Sequence, residues 1–563
     1  MSINKNLTIG EAFTLAVKKH QKNNFKEAQN LYNQVLKINP DHVSAHNNLG
    51  AIFQVLKRNQ EAISCYEKAI KIDPNCTDAH NNLGVVYQEL EDYQKAISSY
   101  EKIIKIDPKK AVAFNNLGSA FKSLGERQKA KDCFEKAVEL DPNYVNAHYN
   151  IGVAFGEMGD YFKAINSYEK AIELNPNYKN AHNNLGGVFD KLEEYQKAKS
   201  CFQNAIEIDP DFTGALGNVA GIYVSELDDF EKAISTSNET LKIHHKNSKF
   251  NNQSIGLFRL KHDVEQAKYL NKTGGFWNYF RSKDYKINGI DEFIKIGDEI
   301  LKRKENEEDK NNSNKVISLN PNEINSLLPY FKENHIYKTK TISGSCINPN
   351  KNWLEVEEEY LNSHNQIMYI DDFLSDEALI ELREFCLVSK VWNKEYNNKY
   401  LGAFSNSGFI SPIHLQIAID LQQKLPKLFG PHRLGKFWGF KYDATLGKGI
   451  NIHADFAIHN LNFWITPDEY NNNKNSGGLK IYDAPAPDHW TFNDYNINTK
   501  KIYEFLKENN AKCTNVPYKF NRAVLFNSAY FHETDEIDFK DEYVGRRINN
   551  TYLFGTRVVK KSK

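Results

Sequence analysis

VSAHNNLGAIFQVLKRNQEAISCYEKAIKIDPNC, residues 43–76, decides how the first half of this 563-residue chain folds. Leu49, Gly50 and Phe53 share one helical face, Ala62, Tyr66 and Ala69 share another, and Pro74 closes the second run. Residues three and four apart are neighbours on a helix, so the stretch reads as a pair, helix A then helix B. The unit recurs. Prolines fall at 40, 74, 108, 142, 176 and 210, each 34 residues after the last. In the same register come Leu83, Gly84, Tyr87, Ala96 and Tyr100, then Leu117, Gly118, Phe121, Ala130, Phe134 and Ala137. Ile151, Gly152, Phe155, Ala164, Tyr168 and Ala171 follow, and after them Leu185, Gly186, Phe189, Ala198, Phe202 and Ala205. Small residues let paired helices approach closely, and the aromatic ring fills the gap to the next pair. Residues 9–42 form a weaker opening unit. Residues 213–246 carry Val219, Ala220 and Tyr223 but need one inserted residue to align Ala233, so they read as a degenerate cap.

The 34-residue period, with these residues in register, resembles the tetratricopeptide repeat. That resemblance implies an all-α solenoid over residues 1–246, of about seven units, with helix A lining a concave surface that binds a protein or peptide. One polar position persists: Asn48, Asn82, Asn116, Asn150, Asn184 and Asn218. A carboxamide donates and accepts, so a row of them can hold an extended peptide backbone regardless of its sequence. The row is similar to the asparagine ladder in the repeat array of O-GlcNAc transferase, which implies peptide binding by these six residues. The plainer reading is a solvated consensus position spread by duplication.

Bulk properties exclude several classes. Lys+Arg and Asp+Glu each total 72, so net charge gives no pull toward nucleic acid or an anionic membrane. Cys65, Cys76, Cys133, Cys201, Cys346, Cys386 and Cys513 are scattered without a C-x-x-C, as expected of reduced thiols. The opening MSINKNLTIGEAF lacks a signal-peptide pattern and no 18-residue apolar run follows, so a cytoplasmic location is expected.

Residues 247–365 lose the pulse and read as a helical and linker region. Arg259–Leu270 has helical spacing, and His262 with Asp263, about 100° apart on a helix, makes a poor chelating pair and belongs to a solvated or packed face. Lys302–Lys315 mixes both charge signs with Asn and Ser and is expected to be a mobile linker.

From residue 366 the texture becomes β. IMYI is expected to be a strand, Ser375 to cap a helix, and KFWGFKYD, GINIHAD, LNFWIT, GGLKIYD, RAVLFNS and RRINNTYLFG to be short strands. His453 and Asp455, at i and i+2, fall on one strand face. His532 ends a later apolar run, and Arg546, Arg547 and Asn549 open the final one. Two imidazoles and a carboxylate can cap one face of an iron(II) ion and leave three positions open.

The ordered set H-x-D, His, R-x-N resembles the 2-oxoglutarate- and Fe(II)-dependent dioxygenases, of the prolyl-hydroxylase-like superfamily, over roughly residues 366–557. The resemblance implies an α+β double-stranded β-helix, or jelly roll, over residues 366–563. It implies Fe(II) on His453, Asp455 and His532, and 2-oxoglutarate anchored by Arg547 with Asn549 and Tyr442; Arg546 stands as the alternate anchor. It also implies hydroxylation of a C–H bond, coupled to use of dioxygen and decarboxylation of 2-oxoglutarate. His459 reads as a packing or outer residue, and Asp468–Trp490 either as a loop over the site mouth or as a plain connection. The favoured function is an oxygenase acting on a protein or peptide held by the repeats. The alternatives are a small-molecule or glycan-tailoring oxygenase with the repeats as a partner dock, and an inactive repeat scaffold.

Overall fold

A computed structural model describes residues 7–226, 229–247, 254–272, 289–305, 316–332, 335–396, 400–443 and 449–556. The chain divides into two compact units, Met1–Pro210 and Asp211–Lys563. The first is a helical solenoid of six antiparallel pairs, from Ile9–Gln21 with Phe25–Ile38 to Lys179–Lys191 with Tyr195–Ile208. Its register follows from the small residues. A Cβ on Gly50, Gly84 or Gly152 would lie 2.6–2.7 Å from the ring of Tyr66, Tyr100 or Tyr168. Between repeats, His46, His80, His148 and His182 use Nε2 to donate to the carbonyls of Pro40, Pro74, Pro142 and Pro176, at 2.8–3.0 Å. Each histidine thereby ties the first turn of a helix A to the proline loop before it.

The boundary lies at 210, whereas the repeat pattern runs to 246. Helices Thr213–Glu226 and Phe230–Asn247 belong by packing to the second unit: Val224, Ala233 and Leu241 share a core with Leu260, Phe293, Leu327 and Phe385. Ser237 Oγ donates to the Ser405 carbonyl (2.7 Å) and accepts from Gly408 N (2.8 Å). Four described helices of the middle region, Leu257–Lys272, Ile290–Glu305, Pro321–Lys332 and Trp353–Asn362, supply apolar faces to that core, so it is more than a linker. Of the stretch Lys302–Lys315, residues 302–305 finish a helix and 306–315 lie outside the described residues. His262 and Asp263 are packed, not solvated: they are buried, 3.0 Å apart, and Arg259 Nε reaches Asp263 at 2.6 Å.

A seven-stranded antiparallel sheet forms the centre of this unit, in the order Ile367–Ile370, Ala523–Asn527, His459–Trp464, Ile548–Phe554, Leu434–Tyr442, Tyr400–Phe404, Lys394–Tyr396. A three-stranded sheet has the order Tyr530–Thr534, Leu479–Pro485, Cys513–Val516. Ser375 caps helix Asp376–Val388 as expected, accepting from Ala378 N. Two expectations change. The apolar run that carries His532, VLFNSAYFHET at 524–534, is not one strand but breaks at Ser528–Ala529, and its halves enter different sheets. GINIHAD forms no strand of either sheet, touching the smaller one through the bridge between His453 and His532 and through Thr534 N, which donates to Ile450 O. The Asp468–Trp490 segment is not a free lid, because Leu479–Pro485 is the central strand of the small sheet. Helices Phe492–Asn496 and Thr499–Glu508 follow it. No helix among the described residues is long and apolar enough to cross a membrane.

Candidate metal centre

His453, Asp455 and His532 converge. One ligand atom from each lies within 4.8 Å of the other two. The H-x-D segment belongs to no strand and is held point by point. His453 and His532 exchange backbone hydrogen bonds of 3.0 and 2.8 Å, Ala454 N donates to Tyr495 O, and Asp455 N donates to Ser528 O. Asn496 Nδ2 donates to the Ala454 carbonyl at 3.0 Å, so the inserted helix Phe492–Asn496 clamps the residue between the two ligands.

The tautomers follow from the partners. His453 Nδ1 lies 2.8 Å from Asn451 O, and His532 Nδ1 lies 3.1 Å from Tyr530 O. A carbonyl only accepts, so both Nδ1 atoms carry hydrogen and both Nε2 atoms present a lone pair. His532 Nε2 sits 3.5 Å from an Asp455 carboxylate oxygen. Two lone-pair atoms so placed repel, unless a cation lies between them; two ligands about 2 Å from one ion are separated by about 3–4 Å. Burial drives the His532 imidazole well below its ordinary range, so it is neutral and ready to ligate. Burial pushes the Asp455 carboxyl up, opposed by the nearness of the His453 imidazole and a hydrogen bond from Asn460. The donor set fits a divalent ion with nitrogen and oxygen ligands.

Beyond the triad the cavity is walled by Trp438, Phe440, Ile450 and Leu479 and reaches Tyr442 and Asn549. Arg547 is 1% exposed. Its Nε donates to Gly477 O at 2.6 Å, while Nη1 and Nη2 are buried with no hydrogen-bond partner among the described residues. Its guanidinium lies 4.7 Å from the Tyr442 ring centre and 5.5 Å from that of Trp464, aromatic faces that soften the cost of a buried cation. The Tyr442 hydroxyl is buried beside Arg547 and Thr534, whose nearness opposes the rise that burial gives its pKa. Two guanidinium nitrogens and a phenol hydroxyl are thus buried close together with hydrogen-bonding capacity to spare.

The other candidates separate. Arg546 faces away from this place, bonding Glu265 through Nε (3.0 Å) and Nη2 (2.5 Å). Asn549 lines the cavity, but both hydrogens of its amide are engaged, to Asn462 Oδ1 (3.0 Å) and Thr551 Oγ1 (3.1 Å). What it leaves unpaired is Oδ1, an acceptor. His459 packs among Tyr360, Phe429 and His432, and burial lowers it to about 4.

In the solenoid the asparagine row is a staple between repeats. Asn82, Asn116 and Asn150 donate to Asn47, Asn81 and Asn115 of the preceding repeat at 3.1, 2.9 and 2.8 Å, and Asn184 donates to the Tyr149 hydroxyl at 3.0 Å. Asn47, Asn81, Asn115 and Asn183 donate in turn to Asn48, Asn82, Asn116 and Asn184. Sequence reasoning passed over Asn460 and Asn462. The signal was available: two amides at i and i+2 inside the apolar strand HNLNFW must find buried partners.

Tetratricopeptide repeat models match residues 41–109, 76–143, 145–178 and 180–212, and a TPR repeat model matches 18–57. No curated protein is similar enough to count as a relative. Among solved structures, the chain is similar to YrrB, described as a TPR protein with an unusual peptide-binding site, at 24% identity over 33% of this chain and 96% of that one, TM-score 0.28. It is similar to MamA at 30% identity over 29% and 95%, TM-score 0.27. It is also similar to PilF of Pseudomonas aeruginosa at 23% identity over 37% and 93%, TM-score 0.33. Residues 18–212 are tetratricopeptide repeats, the architecture of a protein-interaction scaffold.

Proposed function

We propose that the second unit is a 2-oxoglutarate- and Fe(II)-dependent oxygenase of jelly-roll fold, and that the repeats present its protein or peptide substrate. The observation that supports this best is the pairing of a three-ligand centre with a buried guanidinium whose outer nitrogens have no partner. An unpaired buried charge is costly, and a ligand carboxylate relieves that cost. His453, Asp455 and His532 hold the iron, which, with 2-oxoglutarate bound, supplies dioxygen activation coupled to decarboxylation and ends in hydroxylation of a C–H bond. Arg547 takes the far carboxylate of 2-oxoglutarate in a forked contact, and the Tyr442 hydroxyl donates beside it. Trp438, Phe440, Ile450 and Leu479 exclude water from the reacting end.

On the repeats, each stapled amide that both donates and accepts within the row keeps a second hydrogen and a second lone pair. A peptide backbone can use those without breaking the staple, which supports the concave face as the substrate surface. The test is succinate release from 2-oxoglutarate by the whole chain with Fe(II), with His453→Ala as control. Succinate formation that survives His453→Ala, or its complete absence with iron bound, refutes the enzyme and leaves an interaction scaffold.

A further inference from the structure

We infer that Asn460 and Asn462 are positioning residues, carrying a one-way hydrogen-bond chain from Asp455 to Asn549 that fixes the carboxylate for metal binding. The inference rests on the oxygenase reading and adds how the acidic ligand is oriented.

The chain is short and fully specified. Asn460 Nδ2 donates to Asp455 Oδ2 at 2.6 Å, and Asn462 Nδ2 donates to Asn460 Oδ1 at 2.5 Å. Asn462 Oδ1 then accepts from Thr551 Oγ1 at 2.7 Å and from Asn549 Nδ2 at 3.0 Å. Asn460 is 0% exposed, Thr551 3%, and Asn462 and Asn549 4% each, so water is largely excluded as a substitute for any link. The backbone sets the spacing. Asn460 and Asn462 alternate onto one face of strand His459–Trp464, and Thr551 stands directly across from Asn462 on strand Ile548–Phe554.

Direction is forced from one end. A carboxylate only accepts, so Asn460 must turn its NH₂ to Asp455 and its carbonyl to Asn462. Asn462 must then turn its NH₂ to Asn460 and its carbonyl toward Thr551 and Asn549. Asn549 must present its NH₂, which is why its Oδ1 is the atom left unpaired at the cavity. Flipping any one amide opposes two like groups. The polarity of the chain is therefore a property of the ionised ligand, and in return it keeps one carboxylate oxygen occupied and the plane of the group fixed. Outer partners of metal ligands act in this way, and losing one typically weakens metal binding by roughly 10- to 100-fold.

The test uses the full chain and Co(II) as probe, reading affinity and the visible spectrum of the bound ion, with thermal unfolding to monitor the fold. Asn460→Asp keeps the shape and removes the donor. Its expected effect is Co(II) binding weakened roughly 10- to 100-fold with an altered spectrum. Thr551→Val leaves the Asn460 bond to Asp455 in place but removes the hydroxyl that donates to Asn462, and is expected to weaken binding by a smaller, few-fold factor. A role in packing alone predicts no graded change. Unchanged affinity and spectrum in folded Asn460→Asp and Thr551→Val, while His453→Ala abolishes binding, overturn the chain and leave the oxygenase reading standing. Failure of the wild-type protein to bind Co(II), or binding indifferent to His453→Ala, overturns both.

Discussion

Replacing Arg547 with Met separates two quantities that ordinary core substitutions change together. The guanidinium donates one hydrogen bond, from Nε to Gly477 O, and its two outer nitrogens are buried. Losing a hydrogen bond from a charged donor costs about 1.5–3 kcal/mol. Exchanging a buried cation for an apolar side chain of similar length returns about 1–4 kcal/mol. The two offset, so the stability of ligand-free Arg547→Met is expected within about 2 kcal/mol of wild type. Binding is another matter. Removing one partner of a buried charge pair costs about 3–5 kcal/mol, and each 1.4 kcal/mol is tenfold, so the KM for 2-oxoglutarate is expected to rise at least roughly 100-fold. Thermal unfolding with Mn(II) and 2-oxoglutarate gives an independent reading: ligand at a hundred times its Kd stabilises wild type by about 2.7 kcal/mol and the variant by almost nothing. A variant that loses more than about 4 kcal/mol of ligand-free stability, or keeps its response to 2-oxoglutarate, refutes the reasoning.

Gly84→Ala puts a Cβ 2.6 Å from the Tyr100 ring and is expected to destabilise the repeats by about 1–3 kcal/mol, measured by urea unfolding; a neutral result contradicts the close helix approach. Chains beginning at residue 211 are expected to fold cooperatively, whereas chains beginning at 247 lose Val224, Ala233, Leu241 and the Ser237 bonds and aggregate, which light scattering and circular dichroism distinguish. Burial holds His262, His335 and His414 down to about 3. A folded-state value below the unfolded 6.5 or so means full stability above pH 6.5, draining as pH falls toward 3 at roughly 1.4 kcal/mol per pH unit per histidine. Near-UV circular dichroism is expected to show the second unit unfolding first on acidification, and stability that stays flat between pH 7 and 5 speaks against buried neutral imidazoles.

The repeats were legible because their packing is local: each Gly–Tyr or Gly–Phe contact spans 16 residues and recurs every 34, so periodicity alone reports it. The seventh pair shows the limit. Thr213–Glu226 and Phe230–Asn247 have the same helical pattern, but an apolar face does not say which surface will cover it, and here it is the core with Leu260 and Phe385. At the centre, His453, Asp455 and His532 were legible because few side chains can ligate a metal and a two-residue spacing puts two on one side. The absence of a strand at GINIHAD was not, since what holds that segment are long-range bonds to Ser528, Tyr495 and Asn496. Asn549 lines the cavity, with its amide nitrogen engaged by Asn462 and Thr551 and its Oδ1 left unpaired. Its orientation is set by Asn462 and Thr551, and no property of R-x-N carries that information.

Adjacent arginines show why a residue type alone could not assign the anchor. Arg546 and Arg547 precede one strand, and both are almost fully buried, so composition and burial treat them alike. Alternation turns them to opposite faces of the sheet. On one face helix Leu257–Lys272 supplies Glu265, whose carboxylate meets Arg546, and that pair makes its contribution whether or not a ligand arrives. On the other face the neighbours are Tyr442, Trp464 and Tyr518, which tolerate a cation without neutralising it. Selection for stability alone favours supplying an acid there or replacing the arginine, since buried unpaired charge is among the costliest arrangements a core can keep. Under the oxygenase proposal, a ligand carboxylate supplies the missing acid and offsets that cost.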